Sequence, residues 1–199
     1  MTLPIFKFKT VEEYFALEES SLEKHEYYKG EIFAMAGASI NHNKIVRNAL
    51  TAIDNYLKDK KCEIFPSDLK VHIEANSLYT YPDLSIVCED VLFQEGHNDT
   101  ITNPTVIIEV LSPSTMDYDR GGKFALYRAL PTLKEYILIS STEYHFEKFV
   151  RQGDNWLLSE TRSENDTISI ETIDFQIQLA ELYRNVDFAT NITEPSLHP

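Results

Sequence analysis

Two carboxylates stand inside runs that otherwise read as buried strand. Glu109 interrupts Val106-Ile107-Ile108-Glu109-Val110-Leu111, and Asp83 opens Pro82-Asp83-Leu84-Ser85-Ile86-Val87-Cys88. Each run is apolar and rich in β-branched residues, the composition of a strand. A charge on such a strand is costly unless something pairs with it. Taken alone, Glu109 also fits a strand end that meets water, and Pro-Asp often begins a strand or turn. Together they offer one carboxylate on each of two strands. That is a donor set for Mg²⁺ or Mn²⁺, hard cations that bind through one or two carboxylates, waters and substrate phosphate. Such an ion lowers the pKa of a bound water and neutralises charge developing on phosphate.

A third group is Lys123, on the helix expected after the Glu109 strand, with Tyr127 four residues on along the same face. A lysine beside a metal-bound water could orient it or stabilise a pentavalent phosphate; the plainer reading is a solvated helix lysine. Tyr127 alone fits core packing, and Arg120 and Arg128 fit either phosphate contacts or plain surface. His42 stands near the start of a long expected helix, where it could reach a cleft or simply face solvent. Asp68 follows Pro66-Ser67 and fits a turn as well as a place beside the site.

These residues need elements to position them. Thr10-Val11-Glu12-Glu13 fits a capping box, so a short helix starts there. Glu23 to Met35 reads as two short strands turning at Gly30. Ala38 to Asn41 offers caps for a longer helix, in which Val46, Leu50, Ile53 and Leu57 recur at helical spacing. Strands follow at Cys62–Phe65 and Leu69–Ile73, with a turn at Glu74-Ala75-Asn76-Ser77, and then come the two carboxylate strands. Glu89 to Pro104 is polar and reads as a loop. Asp119-Arg120-Gly121-Gly122 opens a helix that Pro131 stops. A strand follows at Glu135–Ser140, then a hairpin around Arg151-Gln152-Gly153-Asp154-Asn155, and Leu179 to Tyr183 reads as a closing short helix. The order gives one α/β domain over residues 1–185 and a polar tail over 186–199.

The bulk numbers limit the partners. The chain has 199 residues and a net charge of −14, which argues against a nucleic-acid binder working through a global positive field. Three basic and nine acidic residues lie from Arg151 onward, so any phosphate contact is expected in the first three quarters of the chain. No apolar stretch approaches the roughly 20 residues that span a bilayer. The N-terminus lacks the order of a secretory signal, so a cytoplasmic location is expected. The two cysteines, Cys62 and Cys88, are then expected as reduced thiols.

Asp83, Glu109 and a following lysine resemble the PD-(D/E)XK nuclease superfamily. The lysine usually two residues past the glutamate is replaced here by Leu111; some members carry it on the following helix, where Lys123 lies. The longer pattern resembles the Uma-type family of restriction-endonuclease-like bacterial proteins. It runs through His25-Glu26-Tyr27-Tyr28-Lys29-Gly30-Glu31-Ile32, His42, Ser67-Asp68, Tyr81-Pro82-Asp83-Leu84-Ser85, Ile108-Glu109-Val110-Leu111-Ser112-Pro113-Ser114-Thr115, Asp119 to Lys123 with Tyr127, and Glu135-Tyr136. At Ser140 members often carry an aspartate. The resemblance implies a restriction-endonuclease-like α/β core, a central mixed sheet flanked by helices. It implies Asp83, Glu109 and Val110 as metal ligands, Lys123 and Glu26 as further catalytic residues, and Glu31, His42, Asp68 and Tyr127 as supports. Glu26 is favoured over Glu31, which beside Gly30 fits a mere hairpin residue.

The leading expectation is therefore a Mg²⁺- or Mn²⁺-dependent endonuclease acting on nucleic acid, with DNA favoured, as a homodimer. Two alternatives stay open: a nuclease fold kept as a binding or regulatory module, and a hydrolase of a small phosphate substrate.

Overall fold

In the computed structural model, which describes residues 8–189, the chain begins with helix α1 (Val11–Ser20). The expected capping box forms: Thr10 accepts from the Glu13 backbone, and Glu13 accepts from the Thr10 backbone. Strands β1 (His25–Tyr28) and β2 (Glu31–Ala34) follow as an antiparallel hairpin. Lys29 and Gly30 at its tip both have positive φ, 47° and 93°, the conformation of a two-residue turn that matches strand twist. A Cβ on Gly30 would also stand 2.7 Å from Cβ of Phe8. Helix α2 (Ile40–Leu57) starts at the Ser39 cap, within the segment read as its start.

Next come β3 (Glu63–Pro66), β4 (Lys70–Ile73), β5 (Leu78–Thr80), β6 (Leu84–Val87), β7 (Thr100–Ile101) and β8 (Val106–Leu111). A helical stretch follows in three pieces: α3 (Met116–Tyr118), a π-helical segment over Asp119–Lys123, and α4 (Phe124–Tyr127). The chain continues with β9 (Glu135–Ser140), the hairpin β10 (Phe146–Gln152) and β11 (Asn155–Thr161), the pair β12 (Thr167–Ile170) and β13 (Phe175–Gln178), and α5 (Leu179–Leu182).

The centre is a six-stranded mixed sheet of order β11-β10-β9-β8-β6-β3, with β8 and β9 parallel and the other neighbours antiparallel. Strands β6, β8 and β9 are buried along their whole length, which is why they read as nearly continuous apolar runs rather than alternating ones. Their side chains still alternate between faces. Val106, Ile108, Val110, Leu84 and Ile86 pack towards α2 and α5. Ile107, Leu111 and Leu138 pack with Phe124, Tyr127 and the β4–β5 strands. The second sheet, β2-β1-β5-β4-β7, thus covers the face on which Glu109 must lie.

The expected α/β core and flanking helices are present. Differences from the sequence reading fall in short elements. The polar stretch 89–104, read as a loop, holds the two residues of β7, paired in parallel with β4. Strands β5, β12 and β13 carry weak patterns and were not expected. The helix preceding Pro131, expected from Asp119 through Leu130, starts at Met116 and ends at Tyr127. Cys62 and Cys88, expected as free thiols, form a disulfide. The register explains it: Glu63 pairs with Val87 across β3 and β6, so the flanking cysteines stand opposite one another. No helix among the described residues is long and apolar enough to cross a membrane. The expected tail begins at Val186, but Val186 and Phe188 pack against the core; residues 190–199, and the N-terminal 1–7, lie outside the described residues.

Helix α2 is tied to the C-terminal segment by Asn48, whose buried amide donates to the carbonyls of Leu182 and Arg184, both at 2.9 Å. Asn48→Ala leaves these carbonyls without their partner. Urea denaturation is expected to show a loss of about 1–3 kcal/mol; a loss within about 0.5 kcal/mol, the range of a neutral surface change, would contradict this reading.

Candidate active site

The β6–β8 register fixes the central pair. Leu84 lies opposite Ile108 in antiparallel pairing, which brings Asp83, just before β6, beside Glu109. The backbone N–H of Asp83 donates to Glu109 Oε2 at 3.2 Å, and the N–H of Val110 donates to Asp83 Oδ2 at 2.7 Å. Each carboxylate thus accepts from the other's strand. The two strands are sheet neighbours but not a tight hairpin, since the connection between them contributes β7 to the other sheet.

Lys123 reaches Glu109 from the helical stretch. It ends the π-helical segment, which opens with Asp119 and contains the pair Gly121-Gly122. A π-helical turn shifts the phase of the residues that follow it, and such turns gather at functional sites. Lys123 is only 7% exposed, and its ammonium lies 3.0 Å from Glu109, 3.2 Å from Glu26 and 3.9 Å from Asp119. Tyr127, fully buried one turn on, donates its hydroxyl to Glu109 Oε1 at 2.8 Å. Glu26 arrives from β1, where Thr80 of β5 donates to it. His42, from the first turn of α2, contacts Asp83 Oδ2 through Nε2 at 3.0 Å. Its Nδ1 is buried and has no hydrogen-bond partner among the described residues.

Asp83, Glu109, Lys123, Glu26, Tyr127 and His42 therefore converge. Val110 joins through its backbone, since its side chain packs on the opposite face of the sheet. Glu31 and Asp68 stand apart: Glu31 is exposed at the start of β2, and the exposed Asp68 pairs with Lys24. Arg120 binds Glu147, and Arg128 lies over the Phe124 ring. Two residues were missed by the sequence reading. Asp119 carried a signal, an acid four residues before a lysine on a helical stretch. Thr80 carried none, because only the pairing of β5 with β1 sets it beside Glu26.

The electrostatics follow from burial. Burial pushes the Glu109 carboxyl from 4.5 up to about 8; Lys123 opposes this, while Asp83 and Asp119 add to it. Burial also raises the carboxyl of Asp119, against Lys123. For Lys123, burial pulls the ammonium down, but Glu109, Glu26 and Asp119 outweigh it and hold the group well above its ordinary value. Three carboxyl groups, Glu109, Glu26 and Asp119, therefore face the Lys123 ammonium, with Asp83 beside Glu109.

An acid pair on adjacent strands of a central mixed sheet, with a lysine delivered from the next helix, defines a restriction-endonuclease-like α/β fold. The chain belongs to the Uma2 family, described as "Putative restriction endonuclease", which it matches over residues 11–181. It is 38% identical over 169 residues to the uncharacterized protein sll1609 of Synechocystis sp., covering 84% of this chain and 96% of that protein. It is 39% identical over 178 residues to slr1290 of the same organism, covering 89% and 92%. The fold is similar to the crystal structure of "a putative nuclease belonging to DUF820" from Anabaena variabilis, with a TM-score of 0.65, 17% identity, and coverage of 82% of this chain and 92% of that one.

The raised Glu109 carboxyl makes stability depend on pH. The folded state holds a proton that the unfolded chain releases between the ordinary value of 4.5 and about 8. Stability from this group is fully present below the lower value and is lost as pH rises through the upper one. The melting temperature of metal-free protein is expected to fall between about pH 5 and about pH 9, and to fall less in Glu109→Gln. Equal slopes in the two proteins would show that Glu109 does not titrate in this window.

Proposed function

We propose that the chain is a metal-dependent endonuclease that hydrolyses phosphodiester bonds of DNA as a homodimer in the cytoplasm, through one domain spanning roughly residues 1–185. The observation that carries this reading is the charge imbalance in the buried cluster. Four carboxyl groups, Asp83, Glu109, Glu26 and Asp119, gather where Lys123 and His42 are the basic partners, and one oxygen of Asp83, Oδ1, has no hydrogen bond among the described residues. Hard oxygen donors with surplus negative charge fit Mg²⁺ or Mn²⁺. Asp83, Glu109 and the Val110 backbone would hold the ion, with Glu26 assisting. When bound, it supplies an activated water and neutralises charge on the phosphate.

The protein's own groups prepare that chemistry. The Val110 N–H and His42 fix one oxygen of Asp83, leaving the other available. Tyr127 and Lys123 hold Glu109 Oε1 from two directions, so its carboxylate is oriented before substrate arrives. Burial raises the tyrosine hydroxyl well above its ordinary value, so Tyr127 remains a neutral donor. Glu109, Glu26 and Asp119 hold the Lys123 ammonium above its ordinary value, which favours a charged role over that of a general base. Its role is to orient the attacking water and to offset charge on the pentavalent phosphate. With a net charge of −14, DNA contact depends on local positive groups and is strongly salt-dependent.

Plasmid cleavage in the presence of Mg²⁺ tests the proposal. Asp83→Ala is expected to reduce cleavage to background. Lys123→Met is expected to reduce it by about 10²–10³-fold, the scale for removing one transition-state donor. Equal cleavage by wild type and Asp83→Ala would sink the assignment. Calorimetric titration with Mn²⁺ separates it from a fold kept only for binding or regulation: a wild-type protein without metal affinity would favour the latter.

A further inference from the structure

The strand register continues past the site just described. Glu109 pairs with Leu138 of β9, Leu138 with Glu147 of β10, and Glu147 with Glu160 of β11. Directly paired residues point to the same face of a sheet, so Glu109, Leu138, Glu147 and Glu160 form one row. His145, two residues before Glu147, projects to that same face. The row thus holds a second group of ligand atoms beyond Leu138. One atom from each of His145, Glu147 and Glu160 lies within 4.8 Å of the other two.

His145 supplies the observation that points to a ligand. It is 2% exposed, and its Nε2 lies 3.0 Å from Glu160 Oε2. Its Nδ1 is buried with no hydrogen-bond partner, although Glu147 Oε1 stands 3.4 Å away. Nδ1 faces Glu147, yet the buried ring edge shared by these two groups carries no hydrogen bond. A buried polar atom left in that state requires a partner, such as a water or an ion.

We propose that His145, Glu147 and Glu160 form a second divalent-metal site, which takes a borderline ion of the Zn²⁺ class rather than Mg²⁺. An imidazole donor beside two carboxylates selects for that class. Glu160, whose side chain is 53% exposed, has room to turn from Nε2 to an ion held by Nδ1 and Glu147, and three protein ligands then leave a fourth position for water. Arg120 grips Glu147, with Nη2 2.6 Å and Nε 2.9 Å from Oε1. That is the outer-shell bracing that ligating carboxylates commonly receive. The ion is not a second catalytic metal. Glu109 and Glu147 are two strands apart, about 10 Å at the usual strand spacing, whereas paired catalytic ions sit about 3.5–4 Å apart. It would clamp the β10–β11 hairpin and, through Glu147 and Arg120, steady the π-helical segment that ends at Lys123.

The test uses full-length protein stripped with a chelator and titrated with ZnCl₂ by calorimetry. Asp83→Asn weakens the neighbouring acid pair, so zinc bound there is separated from zinc at His145. This variant is expected to bind one equivalent of Zn²⁺ and to melt at a higher temperature when zinc is added, as ligation of the native state requires. Adding Glu160→Gln, a change at a half-exposed position that preserves the fold, is expected to weaken that binding by at least about 10-fold, the lower end of the loss seen on disturbing a metal site, and to abolish the shift in melting temperature. Zinc affinity unchanged by Glu160→Gln would overturn the proposal. So would absence of zinc binding in Asp83→Asn, which would leave Arg120, Glu147, His145 and Glu160 as an ion-pair chain only. Neither result depends on plasmid cleavage.

Discussion

The structure turns on one buried ammonium. Lys123 sits out of water between Glu109, Glu26 and Asp119, and neither the lysine nor Glu109 could remain there alone. Removing one partner of such a pair strands the other charge in a low-dielectric interior. Each element around it can be read as meeting that constraint. The β6–β8 register sets Asp83 beside Glu109, and the π-helical turn brings Lys123 inward. Strand β1 adds Glu26, and α4 adds the Tyr127 hydroxyl. Strands β6, β8 and β9 are buried on both faces, so water screens Glu109 and Lys123 poorly and their geometry has to be nearly right.

The same constraint ties stability to function. A core built for stability alone would replace the cluster with apolar side chains of similar volume, which is often neutral or stabilising. This chain instead keeps more carboxyl groups than one lysine can balance, and burial pushes the Glu109 carboxyl up to about 8. Such strongly perturbed groups concentrate where charge must be accepted from elsewhere. The row Glu109–Leu138–Glu147–Glu160 extends the pattern, with Leu138 as the apolar spacer between two polar groups and one helical segment bracing both through Lys123 and Arg120.

Legibility from sequence followed the strength of the local signal. The elements with strong local signals declared themselves: the Thr10 capping box, the helical spacing of α2, and the unbroken apolar runs of β6 and β8 are signals that tertiary packing does not override. Asp83 and Glu109 were legible because a charge inside an apolar run needs an explanation. Strands β5 and β7 were not, because three and two residues are too few for a period to show. Thr80 was hidden for a related reason: its contact with Glu26 exists only through sheet pairing. The disulfide depended on register, which no spacing of two cysteines reveals. Glu31 and Asp68 matched in sequence position, yet hairpin and turn geometry turns them to solvent, where an acidic side chain has no need of a partner.

The replacement of the strand lysine by Leu111 has a packing logic. Leu111 shares a face with Glu109 and is buried with Ile107, Phe124 and Leu138. A lysine there would have to bury its stem in that apolar cluster in place of a well-packed leucine. Delivering the charge from the helix lets Leu111 remain core and brings the ammonium in from the side where Glu26 and Asp119 already stand. A regular α-helix gains 100° per residue, so an insertion of one residue in a turn re-aims every side chain after it. The π-helical turn at Asp119–Lys123 is that insertion, and Gly122 within it lets the Tyr118 ring lie against the turn, since a Cβ there would stand 2.9 Å from that ring. What the site needs is a positive charge at one point in space. The fold meets that need from a different place in the chain, by giving up regular helical geometry for a single turn.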